Sequence, residues 1–283
     1  MPKSDPSCLV STDWLARHLD APDVKVVDAS WYLPDAGRDP EAEFREGHIP
    51  GAVRFDIDDV ADDASDLPHM APPAEKFAAR VRKLGLGDGN RIVVYDGAGL
   101  FSAARAWWLF RLFGHDDVAV LDGGLPKWKA EGRPLDDLPR QPKERHFTPR
   151  RDSTLIRSAS EVARAVKLGD EQVLDARSPA RFRGEEPEPR EGLRAGHMPG
   201  ALNLHYAALL EGDGTLKDED GLRAAFAEAG LDLSKPVVTT CGSGVTAAIL
   251  ALALHRIGHR QWSLYDGSWA EWGAYEELPV EAG

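Results

Sequence analysis

Short, almost continuously apolar runs alternate along this chain with longer segments whose apolar residues recur at helical spacing. In the first half, VKVVDA (24–29) and RIVVYD (91–96) are β-branched runs and predict strands. FSAARAWWLFRLFG (101–114) has helical spacing and ends on glycine, so it predicts a helix. VAVLDGG (118–124) predicts a third strand closed by glycines. The order recurs in the second half as QVLDA (172–176), KPVVTT (235–240), VTAAILALALHRIG (245–258) and WSLYDG (262–267). Strands this apolar, separated by helices, imply a parallel sheet covered on both faces.

The recurrence extends to the residues themselves. VVDAS (26–30) matches VLDAR (173–177), GHIPGAV (47–53) matches GHMPGAL (196–202), and LDGGLPKW (121–128) matches YDGSWAEW (265–272). Three segments repeated in one order make the chain a duplication. The expected architecture is therefore α/β, with two tandem domains, each a mostly parallel sheet flanked by helices. Residues 1–140 form the first domain and 156–283 the second. The stretch rich in Pro, Arg, Lys and Asp between them provides a linker over 141–155.

Where the copies differ, chemistry is expected. VVYDGAGLFSAA (93–104) lies over VVTTCGSGVTAA (237–248) without gaps, which puts Cys241 opposite Gly97. The second half has thus placed a thiol between a strand and a helix N-terminus. The first amides of a helix lack intrahelical partners and carry the positive end of its dipole, a setting that favours thiolate, the reactive form. Gly242 and Gly244 let the loop curl so that successive N–H groups point inward as an anion nest. Phosphate ester hydrolysis on such a turn needs an arginine six positions after the cysteine. Position 247 is alanine, and no Arg or Lys falls between Cys241 and Leu254. Asp96 and Gly97 hold the corresponding place in the first half and are expected to be catalytically silent.

Composition narrows the setting. The only cysteines are Cys8 and Cys241, which excludes a disulfide framework and suits a reducing, cytoplasmic compartment. The net charge of −13 and the absence of a Lys/Arg cluster argue against nucleic acid. The longest apolar run, 247–254, is far short of the ~20 residues that cross a bilayer. The first residues, MPKSDPSCLVSTDW, have no apolar stretch of a secretion signal. A small anionic substrate would need local arginines to overcome the acidic background.

With GH-[IM]-PGA in each half and CGSGVTA in the second, the chain resembles the tandem rhodanese-fold sulfurtransferases, and the loop resembles that of the 3-mercaptopyruvate branch. Thiosulfate-preferring relatives carry Arg-Lys where this chain has Gly242-Ser243. DASWYLP (28–34), GEEPEPR (184–190) and YDGSWAEW extend the likeness over nearly the whole chain. The resemblance implies that Cys241 takes sulfur from 3-mercaptopyruvate as a persulfide, releases pyruvate, and passes the sulfur to cyanide or a thiol, thioredoxin being one candidate. It implies that Arg181 and Arg190 hold the donor's carboxylate and keto oxygen, and that Gly242, Gly244, Val245 and Thr246 complete the binding loop. It also implies a Ser243–His69–Asp58 proton relay that crosses from the first domain to the second, placing the site in the interdomain cleft. No cofactor and no metal are called for.

Two other functions fit parts of this pattern: a thiosulfate sulfurtransferase, and a non-catalytic module holding a partner between its domains. The glycine-flanked Cys241 argues against the second. Arg181 and Arg190 share their loop with Glu185, Glu186 and Glu188, and by composition alone read as surface charges. His48 and His197 occur once per half and are expected to order the loops after their glycines. His255 and His259 have a metal-ligand spacing but read as helix C-terminal residues. Trp107, Trp108 and Trp128 are expected in the core or at the domain interface, and Cys8 as a spare thiol.

Overall fold

The computed structural model describes residues 8–138, 140 and 142–283. The first half contains β1 (Leu9–Val10), α1 (Thr12–His18), β2 (Val24–Asp28), α2 (Pro40–Glu46), β3 (Val53–Arg54), α3 (Ile57–Val60), α4 (Ala74–Lys83), β4 (Arg91–Tyr95), α5 (Ala103–Leu112), β5 (Val118–Leu121) and α6 (Gly124–Ala130). The second contains β6 (Ile156–Arg157), α7 (Ala159–Leu168), β7 (Gln172–Asp175), α8 (Pro179–Phe182), β8 (Leu202–Asn203), α9 (Glu219–Glu228), β9 (Val237–Thr240), α10 (Ala247–Arg256), β10 (Trp262–Tyr265) and α11 (Ser268–Trp272). Each half folds into one five-stranded sheet, in the orders β1-β5-β4-β2-β3 and β6-β10-β9-β7-β8. Every pairing within the two sheets is parallel. The duplication read from the segments is thus a duplication of topology.

The two halves meet along α5 and α10. Nearly all residues of both helices are buried, as a helix that is apolar all round requires. Each lies between its own sheet and the other domain, and a single apolar core runs through both halves. Alanines on α10 let the backbones come close, while Trp107 of α5 sits edge-on to His255 and tilted against Trp262. Trp108 donates to the Leu155 carbonyl (3.0 Å), and Trp128 to that of Pro134 (2.8 Å). Among the described residues, no helix is long and apolar enough to cross a membrane.

The segment between the halves is a strap laid on the first domain. Phe147 is buried, Arg82 donates to its carbonyl (2.7 Å), and the amides of Arg150 and Asp152 bond the carbonyls of Phe113 and Leu112. The paired histidines have matching structural duties. His48 Nδ1 bonds the Phe44 carbonyl and its ring stacks on Phe44; His197 repeats this with Phe182. His259 bonds the Gln261 carbonyl at the end of α10.

Candidate active site

In the second sheet β9 is central, and the connections from β7 and β9 leave toward opposite edges. In open parallel sheets, ligands bind in the crevice where neighbouring connections diverge at the carboxyl ends of strands. Cys241 directly follows β9 at that place, and Ala176 follows β7, its amide bonded to the Thr240 carbonyl (2.9 Å). The loop between β9 and α10 is held from outside. The Cys241 amide donates to Ser268 Oγ (3.3 Å), while the carbonyls of Cys241 and Gly242 accept from the amides of Trp269 and Ala270 (2.9 Å each). α10 begins only at Ala247, so the cysteine stands a full loop ahead of the helix rather than at its first turn.

The two glycines differ in duty. Gly244 is left-handed (φ +76°), with Arg105 Nη1 and the Asp266 carbonyl each 3.0 Å from where a Cβ would lie. Gly242 needs no special dihedral; its missing side chain admits Arg181, whose Nη2 is 3.0 Å from the would-be Cβ.

Superposing the repeats shows how the two loops differ. In the first half Asp96 turns its carboxylate into the loop after β4 and accepts the amides of Ala98 (2.9 Å), Phe101 (2.7 Å) and Ala103 (2.8 Å). At the matching position stands Thr240, whose buried Oγ1 has no hydrogen-bond partner among the described residues. The matching amides, of Gly242, Val245 and Ala247, make no hydrogen bond there either. Charge-assisted bonds contribute about 1.5–3 kcal/mol each, so three amides form a strong anion cradle. It is filled by Asp96 in one half and open beside Cys241 in the other. Gly97 itself is walled off, since a Cβ there would meet Tyr32 Oη at 2.1 Å.

A cavity of about 450 Å³ between the halves contains Cys241, Gly242, Ser243, Val245 and Thr246 in its wall, together with Arg181 and Arg190. Pockets for small ligands run from about 300 to 1,000 Å³. Arg181 is not a free surface charge. Its Nε and Nη2 grip Glu188 (3.3 and 2.5 Å), whose carboxylate also accepts from Arg177 (2.7 Å) and is 2% exposed. Arg177 in turn is buried on Asp175. Among the described residues, Nη1 of Arg181 makes no hydrogen bond. Burial draws Arg190 below the ordinary arginine range; the sulfur of Cys241 pulls the other way, and the charge of Arg181 adds to the lowering. An arginine so placed still carries its charge at neutral pH.

The first domain supplies the opposite wall, with Trp31, Leu33, Asp35 and Phe101. Trp31 and Phe101 lie parallel, with ring centroids 6.3 Å apart, and Phe101 meets Tyr206 edge-on. His205 also lines the cavity, its imidazole held toward neutrality by burial and by the charge of Arg181. Trp31 and Leu33 belong to the DASWYLP segment, but their place in this wall, like that of Phe101 and His205, had no signal in the sequence, because no local pattern marks residues that meet only across the domain interface.

Two of the three relay residues touch. His69 Nδ1 lies 2.5 Å from Asp58 Oδ1, Trp31 Nε1 donates to Asp58 Oδ2 (2.9 Å), and the Trp31 ring sits edge-on to His69. Burial pushes the Asp58 carboxyl up, but the hydrogen bonds from His69 and Trp31 and the nearby positive charges outweigh it and hold the group below the usual aspartate range. An ionised Asp58 makes Nδ1 the donor and leaves Nε2 for other work. That Nε2 is buried and has no hydrogen-bond partner among the described residues, and no hydrogen bond there joins His69 to Ser243. His69 has a left-handed backbone (φ 60°), unusual for a residue with a side chain.

A profile of the family described as Rhodanese-like domain matches residues 11–131 and 158–275. The chain is 44% identical over 270 residues to human 3-mercaptopyruvate sulfurtransferase, spanning 93% of this chain and 91% of that one. It is 41% identical over 295 residues to the Arabidopsis thaliana protein named thiosulfate/3-mercaptopyruvate sulfurtransferase 1, mitochondrial, spanning 97% and 78%. The crystal structure of SseA from Escherichia coli superposes with a TM-score of 0.86 at 40% identity, over 93% of this chain and 99% of that one.

Proposed function

The chain belongs to the family of rhodanese-like sulfurtransferases, and from that premise we propose that it moves sulfur from 3-mercaptopyruvate through a persulfide on Cys241. The observation that carries this reading is the open amide cradle beside Cys241, in one cavity with Arg181 and Arg190. The donor's carboxylate and keto oxygen pair with the arginines, which sets its sulfur toward the thiolate. The Cys241 sulfur forms a bond to the donor's sulfur, the donor's C–S bond breaks, and its electron pair passes to the carbon as the enolate of pyruvate. The proton of the donor's thiol ends on that carbon, giving pyruvate and a persulfide anion that the amides stabilise. Ser243 and His69, with Asp58 holding the imidazole, are the groups we assign to that proton transfer.

A thiol or cyanide then attacks the outer sulfur and restores the Cys241 thiolate. A thiol acceptor, thioredoxin among the candidates, fits a reducing, cytoplasmic compartment, in keeping with Cys8 and Cys241 not being joined in a disulfide. Steady-state rates with mercaptopyruvate and thiosulfate side by side test the donor, and mass spectrometry after donor treatment tests the intermediate. The expected result is a gain of one sulfur atom on the peptide holding Cys241. Unmodified protein after exposure to both donors would leave only a binding role for the cleft.

A further inference from the structure

Arg105 lies on α5 of the first domain, 0% exposed, and it reaches into the second. Nη1 donates to the carbonyl of Gly244 in the cysteine loop (3.3 Å), and Nη2 donates to the carbonyl of His69. Nη2 also pairs with Asp266 Oδ1 at 2.7 Å, and the ring of Trp108 lies against the guanidinium. Asp266, from the second domain, crosses in the opposite sense, its Oδ2 accepting the amide of Ala71 (2.7 Å). The loop holding His69 and the loop holding Cys241 are thus tied to each other through one buried ion pair.

The pseudo-symmetry of the molecule supplies a control. At the mirror position Asp122 of the first domain accepts the amide of Leu216 (2.8 Å), as Asp266 does that of Ala71. The place of Arg105 on α10, however, is taken by Ile249, fully buried. Among the described residues, no buried guanidinium bridges the domains on the mirror side; the cross-domain ion pair near it, Lys127 Nζ to Asp213 Oδ2 (3.1 Å), is partly exposed. A buried ion pair adds little stability over apolar residues of similar size, so domain adhesion does not account for Arg105. What distinguishes its side of the interface is the cavity with Cys241.

We propose that Arg105 is a positioning residue for sulfur transfer: paired with Asp266, it holds the His69 and Gly244 carbonyls together and so sets His69 Nε2 against the cysteine loop. The inference rests on the sulfurtransferase reading above. It accounts for the left-handed backbone of His69, whose carbonyl must turn toward α5 while its ring stays on Asp58. It also adds to the need for glycine at 244, since a side chain there would meet the guanidinium.

The test is a double-mutant cycle of Arg105→Lys and His69→Ala in the full chain. A lysine keeps the charge beside Asp266 but cannot bridge two carbonyls as the planar fork does. Arg105→Lys should lower kcat with mercaptopyruvate by roughly 10- to 100-fold, the effect of a small misplacement of catalytic groups, with KM changed far less. In the His69→Ala background the same substitution should cost little more, because its effect passes through His69. The His69 imidazole resonance, assigned by its loss in His69→Ala, should shift in Arg105→Lys, and this readout needs no donor. If wild type turns over neither donor while the resonance shifts, the substrate reading fails and the positioning role stands. An unchanged kcat in active enzyme, losses that multiply in full, or an unmoved resonance in inactive enzyme overturns the proposal. Should Arg105→Lys not fold, Arg105→Met with Asp266→Asn removes both charges together and carries the same expectations.

Discussion

Asp96, directly after β4, and Thr240, the last residue of β9, hold equivalent places in the two halves, and only Asp96 turns a carboxylate into the loop that follows. The first half has satisfied its own anion cradle; in the second it stands open beside Cys241. Thr240→Asp should import the first half's arrangement. A carboxylate accepting three amides would compete with the Cys241 thiolate for the same N–H groups and repel it as a like charge. Alkylation of Cys241 by iodoacetamide and its sulfur loading should both slow at least tenfold, about 1.4 kcal/mol, with circular dichroism unchanged. Wild-type alkylation in this variant would mean that the amides do not stabilise the sulfur.

Cys241→Ser should abolish sulfur transfer and leave the fold intact, because the hydroxyl is similar in size and stays protonated at neutral pH. Cys8 is buried in the core of the first domain, away from the cavity. Cys8→Ser should leave the kinetics close to wild type. Transfer surviving in Cys241→Ser would remove it from the nucleophile's role.

Asp58 predicts a pH dependence of stability. Its carboxyl is held below the ordinary aspartate value, chiefly by His69 and Trp31 against the opposing effect of burial. A depressed folded-state pKa contributes stability that is complete above the unfolded value, about 3.9, and is lost as pH falls through the folded value. Wild type should therefore exceed Asp58→Asn in stability at neutral pH, and the gap should close below about pH 4. Asp58 is half exposed, so the gap will be modest. Urea midpoints from pH 7 to 3 would show it; a constant gap would mean that packing, not charge, separates the two.

The duplication, both sheets and the thiol's strand-to-loop position were legible in the sequence because each is carried by residues close together in the chain. Cys241 stood out since its counterpart is Gly97. By composition alone Arg181 read as a surface charge, because its buried partner Glu188, shared with Arg177, comes into place only when α8 and the following loop fold. The amide-capping duty of Asp96 was hidden for a similar reason: nothing in Tyr-Asp-Gly says where the carboxylate turns. Arg105 gave no signal at all, since its contacts with Gly244 and His69 span 139 and 36 positions.

Donor choice follows from where the cations are. Thiosulfate is a compact dianion, and a loop selecting it should place positive charge next to the transferred sulfur. Gly242 and Ser243 offer none, leaving backbone amides there, while Arg190 and the free edge of Arg181 can take a carboxylate set apart from its sulfur. Wild type should therefore favour mercaptopyruvate over thiosulfate in kcat/KM by at least an order of magnitude, about 1.4 kcal/mol. Arg190→Ala should erode turnover of mercaptopyruvate more than of thiosulfate, since the bidentate carboxylate contact is lost. Gly242→Arg with Ser243→Lys should move preference toward thiosulfate, and the structure adds a second reason. Any side chain at 242 crowds Arg181, whose Nη2 is only 3.0 Å from the Cβ position. Displacing Arg181 breaks its two-point hold on Glu188 and turns it from the donor's carboxylate, so mercaptopyruvate activity should fall even with Gly242→Ala, which adds no charge. If Gly242→Ala leaves mercaptopyruvate turnover intact, the neutral loop sets donor choice by charge alone. If wild type already prefers thiosulfate, the arginines serve another ligand and the donor assignment falls.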